Sequence, residues 1–398
     1  MKLLASSILI INAWRLFHAK NFTTSHLGRP ACFSRLCKTI KSLSCCLCLL
    51  LLFFCPHSFA SNPDTLNTLC ELLKKGDAMA AEQLMQAESI DINMKLHVKS
   101  GETDDYMTPL MIVVQREYTA FAESLLKRGA DINAQNNAGY TALMYAVVQG
   151  FTHIVKLLVN HHADLNIKDN NIATALMYAI VGKRVEIAIF LIDNGADLSL
   201  QDSSGYTALT YAAAQGQAEI VKHLLKMKAA IDMQEPNGQT PLMIAAERHP
   251  DIAILLLEMG ANPNITRSNG PTVLMYAILR KKIPLINALV AHGANLNVPD
   301  KFSGFTPLTM AAATGLTEIV YLFIKHKANI NLQDNDNNTA LMCAISGRHT
   351  EIANFLINEG ADLNLKNDQG HTALMIAASS EQTEIVKNLI EKGASSDS

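Results

Sequence analysis

Nine copies of one phrase recur along this chain: Thr108-Pro-Leu-Met, Thr141-Ala-Leu-Met, Thr174-Ala-Leu-Met, Thr207-Ala-Leu-Thr, Thr240-Pro-Leu-Met, Thr272-Val-Leu-Met, Thr306-Pro-Leu-Thr, Thr339-Ala-Leu-Met and Thr372-Ala-Leu-Met. Successive threonines are 33, 33, 33, 33, 32, 34, 33 and 33 residues apart. A unit of that size cannot bury an apolar face by itself, so copies must stack and share one continuous core. The length of 398 residues would otherwise suggest two or three domains. The period overrules that and predicts one solenoid behind an N-terminal leader.

The segment from Asn136 to Lys168 shows how one unit works. Thr141 stands where its hydroxyl can cap the free N–H groups of a helix starting at Ala142. That first helix carries a small residue at Ala146, matched by Ala179, Ala212, Ala245, Ala277, Ala311, Ala344 and Ala377, which lets a second helix come close. Gly150 ends it, as Gly216 and Gly315 do elsewhere. A second helix from Thr152 follows, with Ile154, Val155, Leu158 and Val159 as its apolar stripe. Ala163-Asp-Leu-Asn166 and then Asp169-Asn170 are turn chemistry and predict a hairpin-like finger before the next threonine.

This unit resembles the ankyrin repeat in its Thr-x-Leu start, its Ile-Val-x-x-Leu-Leu second helix and its Gly-Ala-Asp-x-Asn exit, legible at Gly129, Gly195, Gly260, Gly293 and Gly360. The resemblance implies an all-α ankyrin-repeat solenoid of helix-turn-helix units joined by β-hairpin-like fingers. We assign residues 1–60 to a signal peptide or leader, 61–101 to a degenerate capping repeat and 102–398 to nine repeats, the last of them capping. In the degenerate repeat Leu66, Leu69, Leu72 and Leu73 mark one helix, Gly76-Asp77 breaks it and Ala80 to Ala87 mark another.

Several departures from the family pattern stand out. The family usually places His fourth in Thr-Pro-Leu-His as a polar tie between repeats. Met or Thr stands there in all nine copies, which predicts loss of that tie and apolar methionine packing in its place. The unit at Thr240 is one residue short between its helices, at Glu247-Arg-His-Pro250, and the finger before Thr306 has one residue more than the others. The finger from Asp91 to Thr108 is longer by several residues, and Ile172 and Asn337 replace the usual finger glycine. The irregularities between 247 and 304 read either as a local bend or as drift in surface loops, and the sequence favours drift.

Charge is unevenly spread. Of 33 basic residues seven fall within 1–60, which holds no acid, leaving 26 against 36 acids and a net of −10 for the rest. Such an acidic array is a poor phosphate binder and argues against nucleic acid. Arg35, Lys38 and Lys41 precede a 13-residue apolar run, Leu43 to Cys55, and Ser58-Phe-Ala60 follows with small residues at the peptidase positions. This predicts export with cleavage after Ala60 and a periplasmic or secreted product. The alternative is a membrane anchor at residues 43–55, although a spanning helix needs roughly 17 residues or more. Six of the eight cysteines belong to the leader; Cys70 and Cys343 are too far apart along a solenoid to pair.

Catalytic signals are weak. His249-Pro-Asp251 matches a co-chaperone tripeptide but sits in an inter-helix turn, and His161-His162 ends a helix without further metal ligands. The periodic Asp131, Asp164, Asp197 and Asp362 read as turn formers, and Asn133, Asn166, Asn264, Asn297, Asn331 and Asn364 as loop pins. The chain therefore reads as no enzyme, with no cofactor and no metal site, and with one or more proteins as partners. Within this family the first-helix position held by Tyr145, Tyr178, Tyr211 and Tyr276 faces the concave groove, and Tyr140, Tyr206, Phe305 and His371 stand at finger tips. These eight are the candidate protein-binding residues, because aromatic side chains dominate binding hot spots. The alternative is that the rings only pack between repeats. Lys156, Lys222 and Lys387 fit a solvated back. Two rival roles remain, a secreted effector engaging host proteins and an accessory factor protecting an enzyme, the latter suggested by 16 methionines.

Overall fold

The computed structural model describes residues 62–100, 103–267, 270–301 and 303–395. The leader, its apolar run and the Ala60-Ser61 junction lie outside the described residues. Two capping helices, α1 (Pro63–Lys75) and α2 (Ala78–Ala87), open the array. Nine helix pairs follow. The first helices, from Pro109–Gln115 to Ala373–Ser379, have seven or eight residues, and the second helices, from Thr119–Lys127 to Thr383–Glu391, have nine. Helices this short are unstable alone. One core, shared from Leu69 to Leu389, holds them.

Every start threonine does what its position predicts. The hydroxyl of each accepts the backbone N–H three residues on, at 3.1 to 3.5 Å, from Thr108 to Thr372. The eight matched alanines from Ala146 to Ala377 are fully buried where the two helices touch. Met111, Met144, Met177, Met243, Met275 and Met342 are likewise in the core, so thioether packing does fill the usual histidine place. Met375, in the last of the described repeats, is exposed.

The expected loss of a polar tie is only half the outcome, because another row supplies ties. In six of the nine repeats the residue opening the second helix reaches back to a carbonyl at the end of the preceding first helix. Gln217 Nε2 donates to Ile180 O at 2.7 Å, Lys282 Nζ to Ala246 O at 2.8 Å, His349 Nε2 to Ala313 O at 3.2 Å and Gln382 Nε2 to Ile345 O at 2.8 Å. Tyr118 and Arg184 make the same reach to Lys74 O and Gln149 O. These carbonyls lie at the end of a first helix, where helix bonds run out, so the next repeat supplies the previous one with a further donor.

The exit segments lock together in a second row. Asn133 Oδ1 accepts Asp164 N–H at 2.9 Å, Asn166 accepts Asp197 at 2.8 Å, and Asn264, Asn297, Asn331 and Asn364 continue the pattern to Ser395. The periodic aspartates turn their own loops, as Asp131 Oδ1 does with Asn133 N–H at 2.9 Å. Finger backbones form a third row, such as Asn170 N–H to Ala138 O at 3.0 Å and Asp368 N–H to Asp336 O at 2.9 Å.

Irregular places in the sequence are irregular here too. The long finger is a two-stranded antiparallel hairpin, β1 (Leu96–Ser100) with β2 (Thr103–Met107), the only regular strands among the described residues. The one-residue deletion at 247–250 removes a left-handed turn residue that other repeats supply with Gly150, Gly216 or, at φ 55°, Lys183. His249 consequently ends one helix and begins the next. The junction beyond this deletion differs from the others. At every other junction the first helices pack closer than the second, but between Pro241–Arg248 and Val273–Leu279 the order reverses. The repeats splay on that side, where Glu247 stands at a position held by Val148, Val181 and Ala214 earlier. Ile172 adopts the finger glycine's left-handed φ at 63°, which strains a β-branched residue.

Two rows break at one junction. Ser199 replaces the rung asparagine and hydrogen-bonds Asp197 instead, and no bond among the described residues joins it to Ala230. Pro236, lacking an N–H, occupies the finger position of Asn170 and Asp368. Ser199→Asn would offer Ala230 N–H its missing acceptor. It should slow exchange of the Ala230 amide and raise stability by about 0.5–1 kcal/mol. Asn331→Ala should cost a similar amount. Amide exchange with thermal unfolding checks both, and unchanged Ala230 exchange in Ser199→Asn would show that the rung contributes nothing.

Candidate protein-binding surface

The fingers place an acidic or amide side chain nine residues before the groove tyrosine of the same repeat. In the repeat of Thr174, Asp169 Oδ1 accepts the N–H groups of Asn171 and Ala173, while Oδ2 accepts the Tyr178 hydroxyl at 2.5 Å. Asp202 repeats this with Ser204, Tyr206 and the Tyr211 hydroxyl, the last at 2.5 Å. Asn136 fills the position one repeat earlier, and the Tyr145 hydroxyl bonds both Asn136 Nδ2 at 2.9 Å and Asp105 Oδ2, from β2, at 3.1 Å. One carboxylate thus shapes its finger and anchors a ring. Burial, reinforced by Asp105, Asp169 or Asp202, raises the Tyr145, Tyr178 and Tyr211 phenols far above their ordinary 10, so all three stay protonated.

Tyr140, Tyr145, Tyr178, Tyr206, Tyr211, Tyr276 and Phe305 are each partly buried, and only His371 of the eight candidates is exposed. Tyr140 packs its ring 5.5 Å from Tyr145 and 5.3 Å from Tyr178, and its hydroxyl donates to Tyr178 at 2.8 Å. Tyr206 lies edge-on to Tyr211 at 5.2 Å. All of the seven but Tyr206 pack against the shared core, and the Tyr140–Tyr178 contact joins neighbouring repeats. Tyr276 and Phe305 stand apart from the other rings, across the splayed junction. Lys156 is less free than a solvated back implies, since it pairs with Glu186 at 2.8 Å and lies 5.8 Å from the Phe190 ring.

Sequence reasoning missed the more open part of this face. Seven residues after the start threonine come Val148, Val181 and Leu279, exposed by 43%, 45% and 53%. The signal was present, as an apolar residue at the last turn of a first helix. Cys343 occupies the groove-tyrosine position of its repeat, and burial pushes its thiol up to about 12, which leaves it unreactive. Among the described residues no group of three His, Cys, Asp or Glu is placed to hold a metal, and no helix is long and apolar enough to cross a membrane.

Glu235 is the odd member of the finger row. Ile244 replaces its tyrosine, and the side chain is 5% exposed with Oε1 lacking a partner. Asn237 caps that finger by accepting Gln239 N–H at 2.8 Å. Burial, aided by Asp202 and Glu247, raises Glu235 from 4.5 to about 7. Below 4.5 folded and unfolded chains both hold this proton. Between 4.5 and about 7 the unfolded chain loses it first, so stability falls across that window and levels off above it. Glu235→Gln should abolish the fall and be more stable than the parent at pH 8 by about 1–3 kcal/mol. Denaturant titrations at pH 4, 6 and 8 check this, and parallel profiles for both proteins would contradict it.

Comparison with known proteins agrees with the geometry. The family model described as ankyrin repeats in three copies matches residues 37–169, 110–202, 190–267, 259–334 and 310–398. An ankyrin repeat-containing protein of Treponema pallidum is 50% identical over 50 residues, which is 13% of this chain and 17% of that one. The B-cell lymphoma 3 protein homolog of Mus musculus is 32% identical over 99 residues, 25% of this chain and 22% of its own length. A glycerophosphocholine phosphodiesterase of Schizosaccharomyces pombe is 32% identical over 90 residues, or 23% of this chain and only 8% of that enzyme. The chain thus spans less than a quarter of each of these relatives. With the repeat model matched over most of its length, the chain belongs to the ankyrin-repeat family.

Proposed function

We propose that this protein is a non-catalytic, exported interaction module that holds a partner protein against its first-helix face and fingers. Ankyrin repeats generally mediate protein–protein interaction. The observation that carries the reading is the row of Val148 and Val181 beside Tyr145, Tyr178 and Tyr211: apolar side chains left uncovered at one repeated position, next to rings that the fingers hold fixed. Rings already ordered lose little entropy on binding, which favours a recognition surface. The second-helix side offers Lys222 and charged first turns such as Glu219. Export rests on the basic flank, the apolar run and Ser58-Phe-Ala60. Protection of a partner by sacrificial methionines loses support, because six of the repeat methionines are core residues.

Mass spectrometry of the dominant species from fractionated cells should find a mature chain starting at Ser61 outside the cytoplasm. Intact peptides across Ala60-Ser61 would instead support the anchor. A photo-cross-linking residue at Val181 should trap a specific protein that one at Lys222 does not. Val148→Arg with Val181→Arg, both at exposed positions, should weaken that capture by about tenfold or more while leaving the melting temperature unchanged. Equal trapping at both sites would overturn the face assignment.

A further inference from the structure

Tyr276 shows what the groove tyrosines can hold. Arg280 Cζ lies 5.8 Å from its ring centroid and Lys282 Nζ 5.5 Å, so two cations of this chain already face the ring. Arg267 stands nine residues before it, at the place where Asp169 and Asp202 precede the other tyrosines. At Tyr145, Tyr178 and Tyr211 the chemistry is inverted. The residues four further on are Gln149, Gly182 and Gln215, and no cation among the described residues lies over these three rings. Their hydroxyls point instead into Asp105, Asp169 and Asp202.

A phenol that donates to a carboxylate gains electron density on its ring, and the ring face attracts cations more strongly. The carboxylate adds its own attraction from behind. The first helices Ala142–Gln149, Ala175–Val181 and Ala208–Ala214 contain no charged residue that would repel a cation or neutralise the carboxylates. Of the remaining charges around these rungs, Glu235 and Glu247 are acidic, Arg248 and the exposed Lys168 lie at the margins, and the Arg184 guanidinium is tied to Gln149 O at 3.4 Å.

We infer that Tyr145, Tyr178 and Tyr211, each backed by a carboxylate, form a three-rung receptor for arginine or lysine side chains on an extended segment of a partner protein. This rests on the reading of the first-helix face as a protein-binding surface and adds the chemistry of what binds. Each rung takes one cation over its ring, and Val148 and Val181 cover the aliphatic stems. The partner segment is therefore basic, whereas the array as a whole carries an excess of acids that steers such a segment inward.

The test uses the full-length chain and fluorescein-labelled Gly/Ser peptides carrying arginine at every second, third or fourth position, since extended and polyproline spacings differ. Matched peptides with citrulline keep the shape and lose the charge. Fluorescence anisotropy at physiological ionic strength should show at least one arginine spacing bound about tenfold tighter than its citrulline match. Two variants locate the site. Asp169→Asn with Asp202→Asn keeps the finger turns, as Asn136 does naturally, and should cost about fivefold or more in arginine-peptide affinity. Gln149→Arg with Gln215→Arg copies the Arg280–Tyr276 arrangement and should block the peptide from within. Glu219→Gln with Glu318→Gln makes the same charge change on second helices and should leave affinity unaltered. Equal binding of citrulline peptides that still depends on these residues would overturn the cation assignment while leaving the protein-binding surface intact. Arginine peptides that bind no tighter than citrulline ones at any spacing, or equal losses in the second-helix variant, would also overturn it. The cross-linking experiment judges the surface separately.

Discussion

A repeat in this chain buries its apolar face only against the repeats on either side. Helices of seven to nine residues have no stability of their own. Everything else follows from that dependence. The alanines from Ala146 to Ala377 bring the two helices of a unit together, and the methionines behind six of the start threonines fill the space toward the next unit. Polar groups follow the same logic. Carbonyls at the end of a short helix receive donors from the following repeat through Gln217, Lys282, His349 and Gln382. The exit asparagines do the same for loop amides. Each unit is thus completed in part by the next.

The same dependence makes irregularities local. Ser199 and Pro236 remove two ties from one junction, where Gln201 Nε2 to Gln234 O at 3.2 Å still links the fingers. The shortened turn at His249 and the splay beyond it separate the tyrosines backed by carboxylates from Tyr276 with its own cations. The first-helix face therefore changes chemistry along its length, with partly buried rings whose hydroxyls donate to Asp105, Asp169 and Asp202 on one side and Arg280 and Lys282 on the other. Glu235 lies at the boundary, buried without a partner for one of its oxygens.

Much of this was legible in the sequence because it is periodic. Thr141 caps, Ala146 admits a neighbour and Asn133 pins a loop, and each recurs often enough for position alone to reveal the role. Part of what escaped notice depends on pairs a repeat apart. Gln217, Lys282 and His349 differ in chemistry, so the row that replaces the missing histidine tie shows no common residue. The tyrosines were legible as a row. Their hydroxyl partners were not, because Asp169 reads as a turn former and is one, with its second oxygen left for Tyr178. The hairpin from Leu96 to Met107 read as a long finger because its strands occur once, without a period to mark them.

The account stands on coupling between nearest neighbours, and one substitution tests that directly. Leu209 lies in the core of the repeat that begins at Thr207. Leu209→Asp would put an unpaired charge there at a cost of several kcal/mol. Hydrogen exchange across the whole array should then show protection lost around residues 174–260, with the repeats from Thr306 onward and the capping helices retaining theirs. Equal loss of protection from α1 to Glu391 would contradict the claim that each repeat depends chiefly on its neighbours.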